Sequence, residues 1–211
     1  MRIPLSIFLL LASVSTYAQS KQFVKADSIA ALYPNHSLKD LEVLSRKLTA
    51  SLTTDKEKFR AIYKWVCLNI EYDLDLHDRV NQQRATLNKN AFLEWNLNES
   101  AVITKLLIDQ HRAVCTGYAY LVRDLCYHAS IVCEVVDGSK REKEKMPTHS
   151  WNAVLLDGKW YLADPTWSSG YFIKDTRIFI RCFEEDYFLA DPKVFIRNHH
   201  PVKKVWTLME L

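Results

Sequence analysis

The first third of the chain repeats apolar residues at the three-and-four spacing of amphipathic helices. Leu38, Leu41, Leu44 and Leu48 form one stripe, entered at Ser37, and Phe59, Ile62, Tyr63, Val66 and Ile70 form a second, entered at Thr54 or Asp55. A shorter helix is expected over residues 27–33, ended by Pro34. Residues 74–98 break the pattern: Gln82-Gln83-Arg84 and Asn88-Lys89-Asn90 surround an isolated Phe92-Leu93, and the stretch reads as a long loop over a site. Ser100 is placed to cap a helix over 101–110. Tyr118, Leu121, Val122, Leu125 and Ala129 mark another, entered at Thr116-Gly117 just after Cys115.

From residue 131 the period changes. Residues 131–136 are rich in β-formers, and Asp157-Gly158 is a two-residue hairpin turn between the runs 149–156 and 159–166. That turn pairs Leu156 with Lys159, which puts Trp151 opposite Asp164 and His149 opposite Thr166. One face then collects His149, Trp151, Ala153, Leu155, Trp160, Leu162, Asp164 and Thr166, and the apolar side of the Cys115 helix is the expected cover for it. Further strands are expected over 171–173 and 177–183 in the same small antiparallel sheet, a short helix from Asp191-Pro192, and a closing strand over 202–208. Helices first and strands after make the fold class α+β.

With 211 residues, 48% hydrophobic and 25% charged, the chain can bury one good core. Four glycines and six prolines exclude a collagenous or low-complexity chain. The net charge of +3 is close to balance, and the run 140–145 mixes Lys, Arg and Glu as a solvated loop and one rim of a cleft, so no nucleic-acid partner is expected. Arg2, the apolar run 3–12 and Tyr17-Ala18-Gln19 read as a signal peptide over 1–18, leaving 19–211 as one domain. The expectation is an exported monomer, periplasmic or extracellular, without a membrane span. Export permits disulfides among the five cysteines: two bridges and a free thiol, or none. Buried free thiols are favoured for Cys67, Cys126, Cys133 and Cys182. Their spacing does not suit zinc, and no metal or cofactor is expected.

Cys115 stands where unpaired helix N–H groups and the positive end of the helix dipole favour a thiolate. His149 and Asp164, diagonal neighbours in the hairpin and roughly 7–8 Å apart at the backbone, supply a base and a group to orient it. The Cys115 N–H would contribute to an oxyanion hole, where one donor is worth about 2.7–4 kcal/mol. The indole N–H of Trp95 is a candidate second donor, with packing the preferred reading. His111, His128 and the pair His199-His200 compete poorly for the role of base, the last two because they sit in the tail.

Ala-Val-Cys115-Thr-Gly-Tyr-Ala, His149-Ser-Trp-Asn, Asp157-Gly-Lys-Trp-Tyr and Asp164-Pro-Thr-Trp resemble the transglutaminase-like superfamily, relatives of papain-type cysteine peptidases. Tyr187-Phe-Leu-Ala-Asp-Pro and His200-Pro with Trp206 resemble the kyphoscoliosis-peptidase type within it. The resemblance implies a papain-like fold, a Cys115–His149–Asp164 triad and acyl transfer from an amide through a thioester. Protein, peptide or cell-wall peptide substrates all fit, with hydrolysis favoured over cross-linking. A protein- or wall-binding module with a vestigial triad is the alternative, and a structural zinc protein a weaker third.

Overall fold

Local capping sets the first helices. The computed structural model describes residues 22–140 and 148–209, so the expected signal peptide and the centre of the charged loop at 141–147 lie outside the described residues. Helices α2 (Leu41–Thr49) and α3 (Asp55–Asn69) follow the predicted stripes, while α1 (Val24–Ala31) starts three residues before the expected 27–33 and ends ahead of Pro34. Asp40, and not Ser37, caps α2 by accepting from the Val43 N–H. Thr54 and Glu57 form a reciprocal capping box on α3. This helix runs through the core, burying Phe59, Ile62, Tyr63, Trp65 and Val66.

The predicted loop at 74–98 is helical. Strand β1 (Glu71–Tyr72) leads into α4 (Leu74–Thr86) and α5 (Lys89–Gln110), and the chain returns in β2 (Arg112–Ala113), parallel to β1. Asp73 and Asn88 cap the two helices, so α5 starts at Lys89 and not after Ser100. None of the α5 residues is fully buried, and only Leu107 and Ile108 near its end pack against the core, so the 89–98 stretch carries no apolar stripe. Trp95 packs on Phe92 within it, ring centroids 5.9 Å apart.

Helix α6 (Cys115–His128) then crosses a sheet built from β3 (Cys133–Ser139), β4 (His149–Leu156), β5 (Lys159–Ala163) and β8 (His200–Pro201), in the order β5-β4-β3-β8 with antiparallel neighbours. The hairpin has the expected register, from Leu156 opposite Lys159 to Asn152 opposite Ala163. Asp157 and Gly158 take φ of 52° and 76°, the left-handed values such a turn needs. The pairing stops three residues earlier than expected, so Trp151 is not paired with Asp164 nor His149 with Thr166. Asp164 leaves the strand to cap α7 (Pro165–Ser169), and Pro165 has no N–H to continue a ladder.

The expected packing of the hairpin is reversed. Val154, Leu156 and Ala163 join the helical core with Tyr118, Leu121, Val122 and Leu125 of α6, and Asn152 donates to the Ala119 carbonyl at 3.0 Å. Trp151, Ala153 and Leu162 lie on the other face, covered by Phe195, Tyr187 and Trp206 from the C-terminal segment. That segment comprises β6 (Gly170–Phe172) and β7 (Phe179–Arg181), paired with each other outside the main sheet, then α8 (Pro192–Phe195) and β8. The expected strand at 202–208 is a 3-10 turn over Lys204–Thr207. All five cysteines are free thiols; Cys182 is exposed, contrary to its expected burial.

Candidate active site

Three element ends meet at one point. Cys115 is the first residue of α6, His149 the first of β4, and Asp164 the residue that caps α7. The His149 ring and the Ser150 main-chain N–H both act to lower the pKa of the Cys115 thiol. The Nε2 of His149 lies 2.6 Å from Asp164 Oδ2, which leaves Nδ1 for the sulfur. All three side chains are buried, Cys115 at 9% exposure being the one nearest to solvent.

Asp164 is held on every side. Its Oδ1 accepts from the main-chain N–H groups of Thr166 and Trp167 at 2.8 and 3.1 Å, as a helix cap does. Its Oδ2 receives His149 and also His199, whose Nε2 is 3.0 Å away. The tail histidine dismissed on sequence is thus a member of the cluster. His199 is fully buried among Phe195, Trp167 and Trp151, with ring centroids 3.8, 4.5 and 5.0 Å from its own. Its Nδ1 meets the Asn198 side chain at 2.7 Å. A weak signal existed in the sequence: a buried carboxylate calls for several donors, and the tail carries the apolar residues Phe195 and Trp206 that could bury one.

The charges follow from these contacts. Burial would raise the Asp164 carboxyl, but the His149 charge and hydrogen bond, with His199 behind them, hold it well below the usual carboxylate range. Burial would lower His149, yet Asp164 outweighs it and the ring is raised to about 10. Burial pushes the Cys115 thiol up, and the His149 ring together with the Ser150 N–H brings it below its ordinary value. Desolvation lowers His199 despite its bond to Asp164, and the His149 charge adds to the lowering. These shifts favour a Cys115 thiolate beside a His149 imidazolium and an ionised Asp164.

His149, Asp164 and His199 are also the group whose ligand atoms come within 4.8 Å of one another among the described residues. Their hydrogen bonds to one another at 2.6 and 3.0 Å already satisfy those atoms, so a metal ion would have to break both. Among the described residues no helix is long and apolar enough to cross a membrane.

A helix start, a strand start and the hairpin's far end thus bring a thiol, an imidazole and a carboxylate together in an α+β fold. The family model of the transglutaminase-like superfamily matches residues 42–165, more than half of the chain and all three of these residues, and the chain belongs to that superfamily. It is 33% identical to the kyphoscoliosis peptidase of Homo sapiens over 198 residues, covering 90% of this chain and 27% of that protein. The kyphoscoliosis peptidase of Mus musculus is also 33% identical, over 178 residues, covering 81% of this chain and 24% of the relative. The chain therefore spans about a quarter of the length of these relatives. A solved structure of a TGase aligns with a TM-score of 0.45 at 16% identity, covering 84% of this chain and 42% of that one.

Proposed function

We propose that this protein is a thiol enzyme that cleaves an amide bond in a protein or peptide by acyl transfer through Cys115. The observation that carries the reading is the buried imidazole–carboxylate pair at 2.6 Å, whose ring lowers the pKa of the Cys115 thiol. The Cys115 thiolate attacks the amide carbonyl carbon, forming the C–S bond and moving the π electrons onto oxygen. As the carbonyl re-forms, the C–N bond breaks and the His149 imidazolium gives its proton to the leaving nitrogen. Water then attacks the thioester while His149 takes a proton from it, the C–S bond breaks, and the acid product leaves the thiolate–imidazolium pair restored. Asp164 keeps the ring oriented and carries its positive charge through both steps. An amine in place of water would make the same cycle a cross-linking transfer; hydrolysis is favoured, in line with the peptidase name of the relatives. The apolar run at 3–12 supports a working place outside the cytoplasm, periplasmic or extracellular.

The test is mass spectrometry of a peptide library incubated with wild type and Cys115→Ala, with and without a primary amine. New peptide termini made by wild type alone are the expected result. Amine adducts on glutamine would turn the reading to transfer, and an unchanged library would leave a binding module on the same fold.

A further inference from the structure

A cavity of about 250 Å3 opens beside the imidazole. His149, Thr166 and Trp167 line one end, and Tyr72, Phe172 and Phe179 supply further walls. Those rings brace one another: Tyr72 is edge-on to Phe172 with centroids 5.9 Å apart, and Phe172 lies 5.3 Å from Phe179. Within these aromatic walls one polar group is unmet. Thr166 is only 8% exposed, and its Oγ1 has no hydrogen-bond partner. Buried hydroxyls are rarely left so, and this one lines an open cavity. Its main-chain N–H is bonded to Asp164, which fixes the residue at the imidazole end.

Position along the reaction axis follows from which reacting group borders the space. His149 lines the cavity and Cys115 does not. The imidazole is where the departing nitrogen collects its proton, so the space beside it belongs to the amine side of the scissile bond. We propose that the cavity is the subsite for the residue on that side, and that it selects an aromatic or large aliphatic side chain. The ring enters between Tyr72, Phe172 and Phe179, while the Thr166 hydroxyl bonds the main chain of the same residue. Lys140, whose ammonium stands 5.7 Å from the Trp167 ring, adds a positive charge to the lining and discriminates against a basic side chain. The assignment of a side rests on the acyl-transfer reading above; the chemistry of the cavity does not.

The test uses dipeptide amides whose free α-amine is the leaving group of such a cleavage: H-Phe-Gly-NH2, H-Ala-Gly-NH2 and H-Lys-Gly-NH2. Titrated into full-length Cys115→Ala and followed by calorimetry, the Phe compound should bind at least ten-fold more tightly than the Ala compound, and the Lys compound most weakly. Phe172→Ala, with Phe179→Ala as a second variant should the first not fold, should remove the preference for Phe. Thr166→Val should weaken all three compounds and leave their ratio unchanged. Equal binding of Phe and Ala, or no binding of any compound, overturns the proposal. A wild-type library digest separates the two readings. Cleavage indifferent to the amine-side residue upholds the chemistry and overturns the subsite; Phe-selective binding with no turnover upholds the cavity's selectivity and overturns the acyl-transfer reading.

Discussion

A carboxylate shut away from water has to find its donors in the protein, and Asp164 finds four: two main-chain N–H groups and two imidazoles. Hydrogen bonds to a charged group contribute about 1.5–3 kcal/mol each, so the His199 bond is large enough to matter to the set of the carboxylate. His199→Phe keeps the ring packing and removes the donor. It should slow alkylation of Cys115 by iodoacetamide and any turnover by about ten-fold or more, with a smaller loss for His199→Gln, which can still donate. Equal rates for wild type and His199→Phe would reduce His199 to packing. The pH dependence of the same labelling reads the thiol itself. Cys115 is held below its ordinary value and His149 is raised to about 10, and both shifts favour the thiolate–imidazolium pair. Wild type should label fast at neutral pH, well ahead of the other four cysteines, while in His149→Ala the Ser150 N–H alone opposes burial and labelling should shift to higher pH. Cys115, His149 and Asp164 were legible in the sequence because turn and helix signals flank each of them. His199 was not, because a single residue in an irregular tail has no period to betray which way it faces.

At the scale of elements, the site depends on a crossing that one residue type permits. Gly138 pairs with His149 on one side and Pro201 on the other, so the strand that carries the tail lies directly against it. A Cβ at Gly138 would run into the Trp151 ring and the His200 carbonyl. Gly138→Ala should therefore push β8 from β3 and disturb the delivery of His199, costing about 1–3 kcal/mol as overpacking does. Thermal unfolding and Cys115 labelling should fall together; an unchanged midpoint would mean that the crossing has slack. The sequence announced this hairpin, its turn and its register, since the two-residue period needs no knowledge of the rest of the molecule. It could not announce which face meets α6. Both faces of β4 are apolar, with Trp151 and Ala153 on one and Val154 and Leu156 on the other, and only the path of the tail decides between them. The α4–α5 excursion was missed for the opposite reason: its helix-forming residues bury almost nothing, so no stripe marked them.

Across the whole molecule, Arg60 ties the two ends of the described chain to the site. It is buried in α3, where Asp27 of α1 takes its Nε and Nη2 at 2.6 and 2.9 Å, while Glu185 takes the other edge of the guanidinium. The rings of Phe183 and Phe188 lie 4.8 and 4.6 Å from its centre. Two residues beyond Glu185, the Tyr187 carbonyl accepts from the Asp164 N–H at 3.0 Å and from the Tyr63 hydroxyl at 3.0 Å, so the guanidinium anchors the segment that holds the carboxylate in place. Breaking a buried ion pair by removing one partner costs about 3–5 kcal/mol. The two carboxylates here are partly exposed, at 29% and 38%, and can be rehydrated, so the loss in Arg60→Met should be nearer about 2 kcal/mol. For a domain of this size that is a fall of roughly 4–8 °C in the unfolding midpoint. The acid side of the stability curve belongs to Asp164. Its pKa is depressed in the folded state, so its contribution is full above the unfolded value of about 3.9 and is lost as pH falls further. His199, lowered by burial, adds to the same trend from about pH 6.5 downward, because the unfolded ring takes up a proton that the folded one resists. Denaturant midpoints measured from pH 7 to pH 3 should therefore decline in wild type, and the part of the decline between pH 6.5 and pH 5 should be smaller in His199→Phe, where His111, also lowered by burial, still contributes.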